Sequence, residues 1–505
     1  MGILFRYLPV YLVFATLAAF AWLHGGARAD ALLPTIPWLW AFLFEALLFF
    51  PQRHPHEDPV QARRRVWHDM KRDPLFYTTL VFLFLLVIPF TNRGLCPSCD
   101  AALIAQGAVA SPAVPFIPYC LNAAEHFGVF IWFLPTLTAM LAAKHALSRS
   151  GKRLLMEMLV WNAAALAVLG FIQRATGATS AFWGTTPAAP DFFSVFGYAN
   201  MGGSFFTMAL AFSVGLWQTR VGEVAALPRL DKANGSISKQ RLNRFIQAHY
   251  ACVAVVLNFF GALFTLSRAA VMLSAILAGL AFLYYECSLL LARHHRAKRV
   301  KSAAFVFLSG LIFLFAVSVF APDNLSKEMK SLDAISVADR VSGRAQYHSR
   351  VAMAIFKDHP VWGVGGWGYR HYFADYLTEE EAKHVQVTGG ANVHNDYLQF
   401  LCEHGLAGAG ALLAIFVMLL VPIFSDWYRL LLAARFTKSD KAPPMPRAIY
   451  CLPPGTFWIL LGNLALMIHA FGDCPMRSGA CLSTFFVTLA CAPGYIPRSS
   501  EDSAR

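Results

Sequence analysis

The stretch GGANVHNDYLQFLCEHG, Gly389 to Gly405, sets His394, Asn395, Asp396, Glu403 and His404 beside a short apolar stripe of Tyr397, Leu398 and Leu401. A neutral imidazole accepts a proton near neutral pH, because its ordinary pKa is about 6.5. His394, where a helix should begin, is therefore a candidate general base, while His371 and His404 lack its setting and read as structural. Arg268 closes an apolar run in FTLSRAAVML. A charge at membrane depth is costly unless paired or hydrated, so its default role is functional; the alternative is snorkelling to the interface. Its guanidinium fork matches phosphate oxygens two at a time, as an ammonium cannot. A base and a phosphate-holding cation together suit a transfer in which a hydroxyl loses its proton and an anionic group departs. The acids Glu379, Glu380 and Glu381 raise the question of a metal. Lys383 and His384 follow them and no spaced acidic partner is present, so a solvated helix face is expected, and no metal.

These residues sit in an apolar chain. Of 505 residues, 57% are hydrophobic and 14% charged, a balance that soluble domains of this size rarely show. Uncharged runs reach the roughly 20 residues that a helix needs to cross a hydrocarbon core, and being continuous rather than alternating they exclude a β-barrel. About twelve spans are expected on this length criterion. They centre near Val13, Phe44, Phe82, Phe133, Ala165, Ala209, Leu257, Ala278, Leu311, Ile415, Leu461 and Thr488, the second and last being weakest because Pro and Gly interrupt them. Arg and Lys crowd alternate loops: Arg53 to Arg72, Lys144 to Arg153, Arg220 to Arg244, Arg293 to Lys301, and Arg429 to Arg447. The positive-inside rule then puts both termini in the cytoplasm. The net charge of +13 is mostly topology, with cytoplasmic loops facing anionic lipid and not nucleic acid. Arg6, an apolar run and the triplet Ala27, Arg28, Ala29 resemble a signal peptide, but a retained first span is expected. Cys96 and Cys99 form a CPSC pair in an outward loop that also holds Cys120. A disulfide is expected there with its pairing open, since a metal site would want a second CxxC.

The elements that position the candidate residues divide the chain into 1–198 with spans one to five, 199–321 with spans six to nine, 322–405 as a large outward loop, and 406–505 with spans ten to twelve. Loops of that length are usually functional. Within it, SVADRVSGRAQYHSRVAMAIFKDHP reads as an amphipathic helix with Val351, Ala354 and Ile355 on one face, stopped by Pro360. GVGGWG, from Gly363 to Gly368, permits a tight turn and close approach of backbone to another surface. Asn392 or His394 can then cap the next helix, which Gly405 should end.

A Ser-Arg at a span end, SGR before an apolar helix ending in DHP, GVGGWG, and HNDYLQFLCEHG running into a span occur here in that order. This order resembles the O-antigen ligase and polymerase superfamily, from the GYANMGGSF stretch (Gly197 to Phe205) to the tenth span. The resemblance implies an all-α, polytopic, GT-C-like enzyme of the bacterial inner membrane, with its active site facing the periplasm and a large periplasmic loop between spans nine and ten lying over it. It implies a metal-independent, inverting glycosyltransferase without cofactor that moves a polyprenyl-diphosphate-linked glycan onto an acceptor hydroxyl. Lipid A core is the first acceptor; another carrier-linked glycan or a protein would make it a polymerase or a protein O-oligosaccharyltransferase. Its other partners are membrane lipids. The resemblance assigns His394 as the base, and Arg268 and Arg344 to the diphosphate, Arg344 being favoured over Arg350 by its SGR setting. Supporting candidates are Asn395, to orient His394 or meet a sugar hydroxyl, and Glu403, to meet a cation. Asn200 and Arg174, near the outer ends of the sixth and fifth spans, and Tyr397 with Trp367, which can stack on a sugar or prenyl chain, complete the set. A secondary transporter or lipid flippase is the rival of another class, and predicts matching halves with paired broken helices that the sequence lacks. A peptidoglycan polymerase of related architecture would use an acid, Asp396 or Glu403.

Overall fold

The computed structural model describes residues 6–27, 32–53, 57–99, 110–114, 116–184, 192–226, 239–291, 345–379, 381, 392–436 and 452–496. In chain order the helices are α1 (Leu8–Trp22), α2 (Ile36–Phe49), α3 (Pro59–Arg72), α4 (Pro74–Val87), α5 (Ala123–Leu141), α6 (Arg149–Ala175), α7 (Ala199–Ala226), α8 (Lys239–Phe264) and α9 (Arg268–Leu291). After α10 (Arg350–Asp358) and α11 (Gly368–Tyr372) come α12 (Asp396–Phe436), α13 (Pro454–His469) and α14 (Gly479–Cys491). Among the described residues the only β-type pairings are isolated bridges within loops. The described residues thus form an all-α protein, and among them 6 helices are long and apolar enough to cross a membrane, with shorter apolar helices beside them. Each of these holds one expected span centre; the ninth, near Leu311, lies outside the described residues.

Helices α5, α7 and α14 are enclosed by their neighbours, while α4 and α12 lie at the periphery. This explains why the last span looked weak. Every residue of α14 is buried, so its Gly, Thr, Ser and Cys face protein, where small residues let helices approach closely and hydropathy toward lipid is not needed. Polar groups inside the bundle pair with one another: Asn463 Nδ2 donates to Thr488 Oγ1 at 3.0 Å, and Asn258 Nδ2 to Ser213 Oγ at 2.9 Å. Gly203 marks the closest contact of α7 with the start of α9, since a Cβ there would stand 2.6 Å from Ala270 Cβ and 2.8 Å from Ser267 Cβ.

The connections gather at the two ends of the bundle. At one end, Asp73 meets Lys144 at 2.5 Å and His145 at 2.9 Å, Gln52 N–H bonds Ala146 O at 2.9 Å, and Arg153 Nε donates to Gly494 O at 3.3 Å. Amphipathic α3 lies there, opened by an Asp58–Gln61 capping box, with Ala62, Val66 and Met70 buried.

At the other end a second small core forms around Val351, Ala352, Ile355, Val364, Tyr369, Tyr372, Phe373, Val393 and Cys402. Ala352 takes the fully buried place expected of Ala354, which is half-buried, as the face of α10 is rotated slightly. Gly405 does not end its helix. It breaks it at φ 60°, ψ −168°, and α12 continues at once. The GVGG segment fills the break: Val364 N–H and Gly365 N–H donate to the carbonyls of Cys402 (3.1 Å) and Glu403 (2.8 Å). In return, Leu406 and Ala407 N–H donate to Pro360 O (2.9 Å) and Val361 O (3.0 Å). Four of the backbone groups that the kink frees are thereby paired, which offsets the cost of a buried helix break. The expected disulfide joins Cys96 to Cys99, and Cys120 is a buried free thiol that donates to Pro89 O at 3.2 Å.

Candidate functional site

His394 lies two residues before the start of α12 and has a positive φ of 55°, a conformation that residues with a Cβ rarely hold. The cap is neither Asn392 nor His394. Asn395 Oδ1 accepts Leu398 N–H at 3.0 Å, because a short amide side chain reaches the third free N–H of the helix where an imidazole does not. His394 is thereby released from capping and turned toward the connection between α13 and α14, where its Nδ1 lies 3.3 Å from Asp473 Oδ1. A carboxylate only accepts, so Nδ1 carries the proton and Nε2 keeps its lone pair; the tautomer follows from the partner and not from a visible hydrogen.

Asp473 is almost fully buried and saturated with donors. Tyr198 Oη donates to its two oxygens at 2.9 and 2.8 Å, Cys474 N–H to Oδ1 at 2.8 Å, and Asn200 Nδ2 to Oδ2. Burial opposes its ionisation, but the hydrogen bonds from His394 and Tyr198, with the Cys474 N–H, hold it well below the usual carboxylate range. Burial, then the charge of Asp473, push the Tyr198 phenol up, so it remains a donor. The loop itself is docked by Asp396 N–H on Ala470 O (2.9 Å) and by Met476 N–H on the Asp396 carboxylate (2.8 Å).

Asn200 carries the network to a third element. Its Oδ1 accepts from Ser267 Oγ at 2.5 Å, and Ser267 is the residue before α9. The tight turn from α8 into α9 places Leu266 at φ 60°. Arg268, half-buried, is thus the first residue of a helix whose N-terminus opens beside Asn200, where the helix dipole favours an anion. His348 stands on the other side of His394, ring centroids 6.0 Å apart, with its Nδ1 3.0 Å from Tyr369 Oη.

The remaining sequence candidates fall elsewhere. Glu403 is buried and pairs with Arg477 at 2.6 Å while accepting from Gln399 at 3.0 Å. Arg477 and Arg370 lie over the Trp367 ring, 4.3 and 4.0 Å from its centroid. Tyr397 Oη donates to Met467 O at 2.8 Å and its ring packs on Phe471. Arg174 donates to Phe192 O at 3.2 Å. Arg350 is engaged by Glu381 at 2.5 Å, and Glu381 also forms a capping box with Thr378, which accounts for part of the acidic run. Arg344 lies outside the described residues. His394, Asp473 and Cys474 present ligand atoms within 4.8 Å of one another. Their donor set suits a metal poorly, because the Asp473 oxygens already accept Tyr198, Asn200 and Cys474 N–H, and burial pushes the Cys474 thiol well up.

Sequence reasoning missed Asp473, Tyr198 and His348. The available signal was an acid in FGDCPMR, a short connection between two spans otherwise poor in charge. Counting only cations in the outward loops passes over it.

Residues 253–413 match a family model whose description is O-antigen ligase. The match begins later than the resemblance read from Gly197, and it includes Arg268, Arg344, Arg350, His394, Asn395 and Glu403 but not Asn200, Tyr198 or Asp473. No curated protein matches the chain.

Proposed function

We propose that this chain, whose residues 253–413 match an O-antigen ligase family model, is a ligase-type glycosyltransferase working on a lipid-linked glycan at the outer face of the inner membrane. The observation that carries this reading is the junction of His394, Asp473, Asn200 and the N-terminus of α9 at one end of an apolar helix bundle. His394 Nε2 takes the proton of an acceptor hydroxyl, and Asp473 fixes the tautomer and steadies the imidazolium that forms. The acceptor oxygen bonds to the anomeric carbon as the bond to the diphosphate oxygen breaks, and polyprenyl diphosphate leaves from the opposite face, inverting that carbon. Arg268 and the α9 N-terminus, with Arg344, take up the departing negative charge, so the step calls for no metal.

The membrane arrangement belongs to the same proposal: about twelve spans, both termini in the cytoplasm, and the His394 end facing the periplasm. The position of the basic residues Lys144 and Arg153 at the Asp73 end of the bundle favours it. Lipid A core is the proposed acceptor. Asp396 and Glu403, the acids that a peptidoglycan polymerase would need, are both buried and engaged, by Met476 N–H and by Arg477.

The test is the envelope glycan profile of a host lacking the gene, complemented with wild type, His394→Ala or Asp473→Asn. Surface polysaccharide should vanish from its acceptor, full-length carrier-linked chains should accumulate, and only wild type should restore transfer. A null strain with an unchanged lipopolysaccharide profile would remove lipid A core as acceptor, and full rescue by His394→Ala would remove the mechanism.

A further inference from the structure

Far from His394 in sequence and role, the CPSC loop is built against a histidine. Cys96 is buried at 7% exposure while Cys99 is exposed, so one sulfur of the bridge is open to a reagent and the other is shielded. The His371 ring lies over them from α11: Nδ1 is 3.6 Å from Cys96 Sγ, 3.9 Å from Cys99 Sγ and 2.7 Å from Ser98 Oγ. Its other nitrogen, Nε2, is 2.7 Å from Glu125 Oε2 at the start of α5, and Arg370 holds the second Glu125 oxygen at 3.0 Å. A carboxylate on one nitrogen orients the imidazole and leaves the other bonded to Ser98 Oγ with both sulfurs in reach.

A structural staple does not call for this arrangement. A bridge between residues three apart closes a very short loop and constrains the unfolded chain little. Thiol–disulfide exchange does call for it, since a leaving thiolate is favoured by an adjacent cationic histidine.

We propose that Cys96–Cys99 is an exchangeable disulfide that takes electrons from an external dithiol, with His371 as the proton donor to the leaving sulfur. An incoming thiolate bonds to exposed Cys99 Sγ, the bond between Cys99 and Cys96 breaks, and Cys96 leaves as a thiolate that receives the proton from His371 Nδ1. The second thiol of the reagent, as its thiolate, then attacks the mixed disulfide, releasing Cys99 as a thiolate that is protonated from solvent. The reagent ends as a disulfide and the CPSC pair, reduced by two electrons, as two thiols. The inference does not depend on the transferase reading.

The experiment uses the full chain in detergent, reduced by dithiothreitol, quenched with an alkylating reagent at intervals and mapped by mass spectrometry for the peptide containing residues 96–99. His371→Gln should slow reduction at pH 7 by about tenfold. Ser98→Ala, which leaves the histidine in place, should not slow it. Equal rates for wild type and His371→Gln would overturn the proposal. So would a Ser98→Ala variant as slow as His371→Gln, since loop packing would then set the rate.

Discussion

Replacing Asp473 by Asn removes the charge facing His394 while keeping the side-chain shape. Two unit charges 3.3 Å apart attract by about 5 kcal/mol at an effective dielectric constant of about 20. Both charges are spread over several atoms, and the His394 side chain is 28% exposed, so we take about half of that figure. The imidazolium of the transition state then loses roughly 2 to 3 kcal/mol, a fall of about 30- to 150-fold in kcat. A second effect acts the same way. The Asn amide can donate to Nδ1, which moves the imidazole proton to Nε2 and blocks the nitrogen that should act as base. The assay is transfer by purified enzyme reconstituted with a carrier-linked glycan and its acceptor, normalised to folded protein by size-exclusion chromatography. Because the two residues act as one unit, His394→Ala with Asp473→Asn should be no slower than His394→Ala alone. Wild-type kcat in Asp473→Asn, or losses that multiply in the double variant, would refute the dyad.

Arg268→Lys retains the charge but not the fork, and should lose about 100-fold in kcat/KM for the donor, roughly 3 kcal/mol; retained activity would identify Arg268 as a snorkelling residue. Glu403→Gln leaves Arg477 buried without its counter-charge and should cost about 3 to 5 kcal/mol in thermal unfolding, with activity per folded molecule little changed. A stable but inactive Glu403→Gln would instead make Glu403 part of the chemistry. Burial opposes ionisation of Asp73, but His145 and Lys144 hold its pKa at about 2, from 3.8 unperturbed. A depressed carboxylate stabilises the fold above its unfolded pKa and loses that contribution as pH falls through the folded one. Wild type should therefore exceed Asp73→Asn by about 2 kcal/mol at pH 7, the difference fading between about pH 4 and pH 2 in melting curves.

Much of the architecture was legible because it depends on local composition. Apolar run length located the helices around Phe133, Ala209 and Ile415, and the glycines of GVGGWG announced the backbone approach that fills the Gly405 break. His394 was legible from its neighbours. Its partner was not, because Asp473 is 79 residues away and nothing periodic joins a helix start to a turn between two later helices. Asn200 was found without its purpose, since the hydrogen bonds on its two amide ends run to Asp473 and Ser267. The capping residue was misplaced because Asn392, His394 and Asn395 all fit the pattern, and only backbone direction separates them.

Asp473 and Arg477 both lie in the connection that precedes α14. A ribosome making this chain exposes His394 and Glu403 well before the residues that complete them. Until α13 and α14 have been threaded among helices already in the bilayer, the histidine lacks its carboxylate and Glu403 is a buried charge without a cation. An unfinished chain is therefore incomplete at the junction proposed for the chemistry, and that junction forms only when the fold is closed.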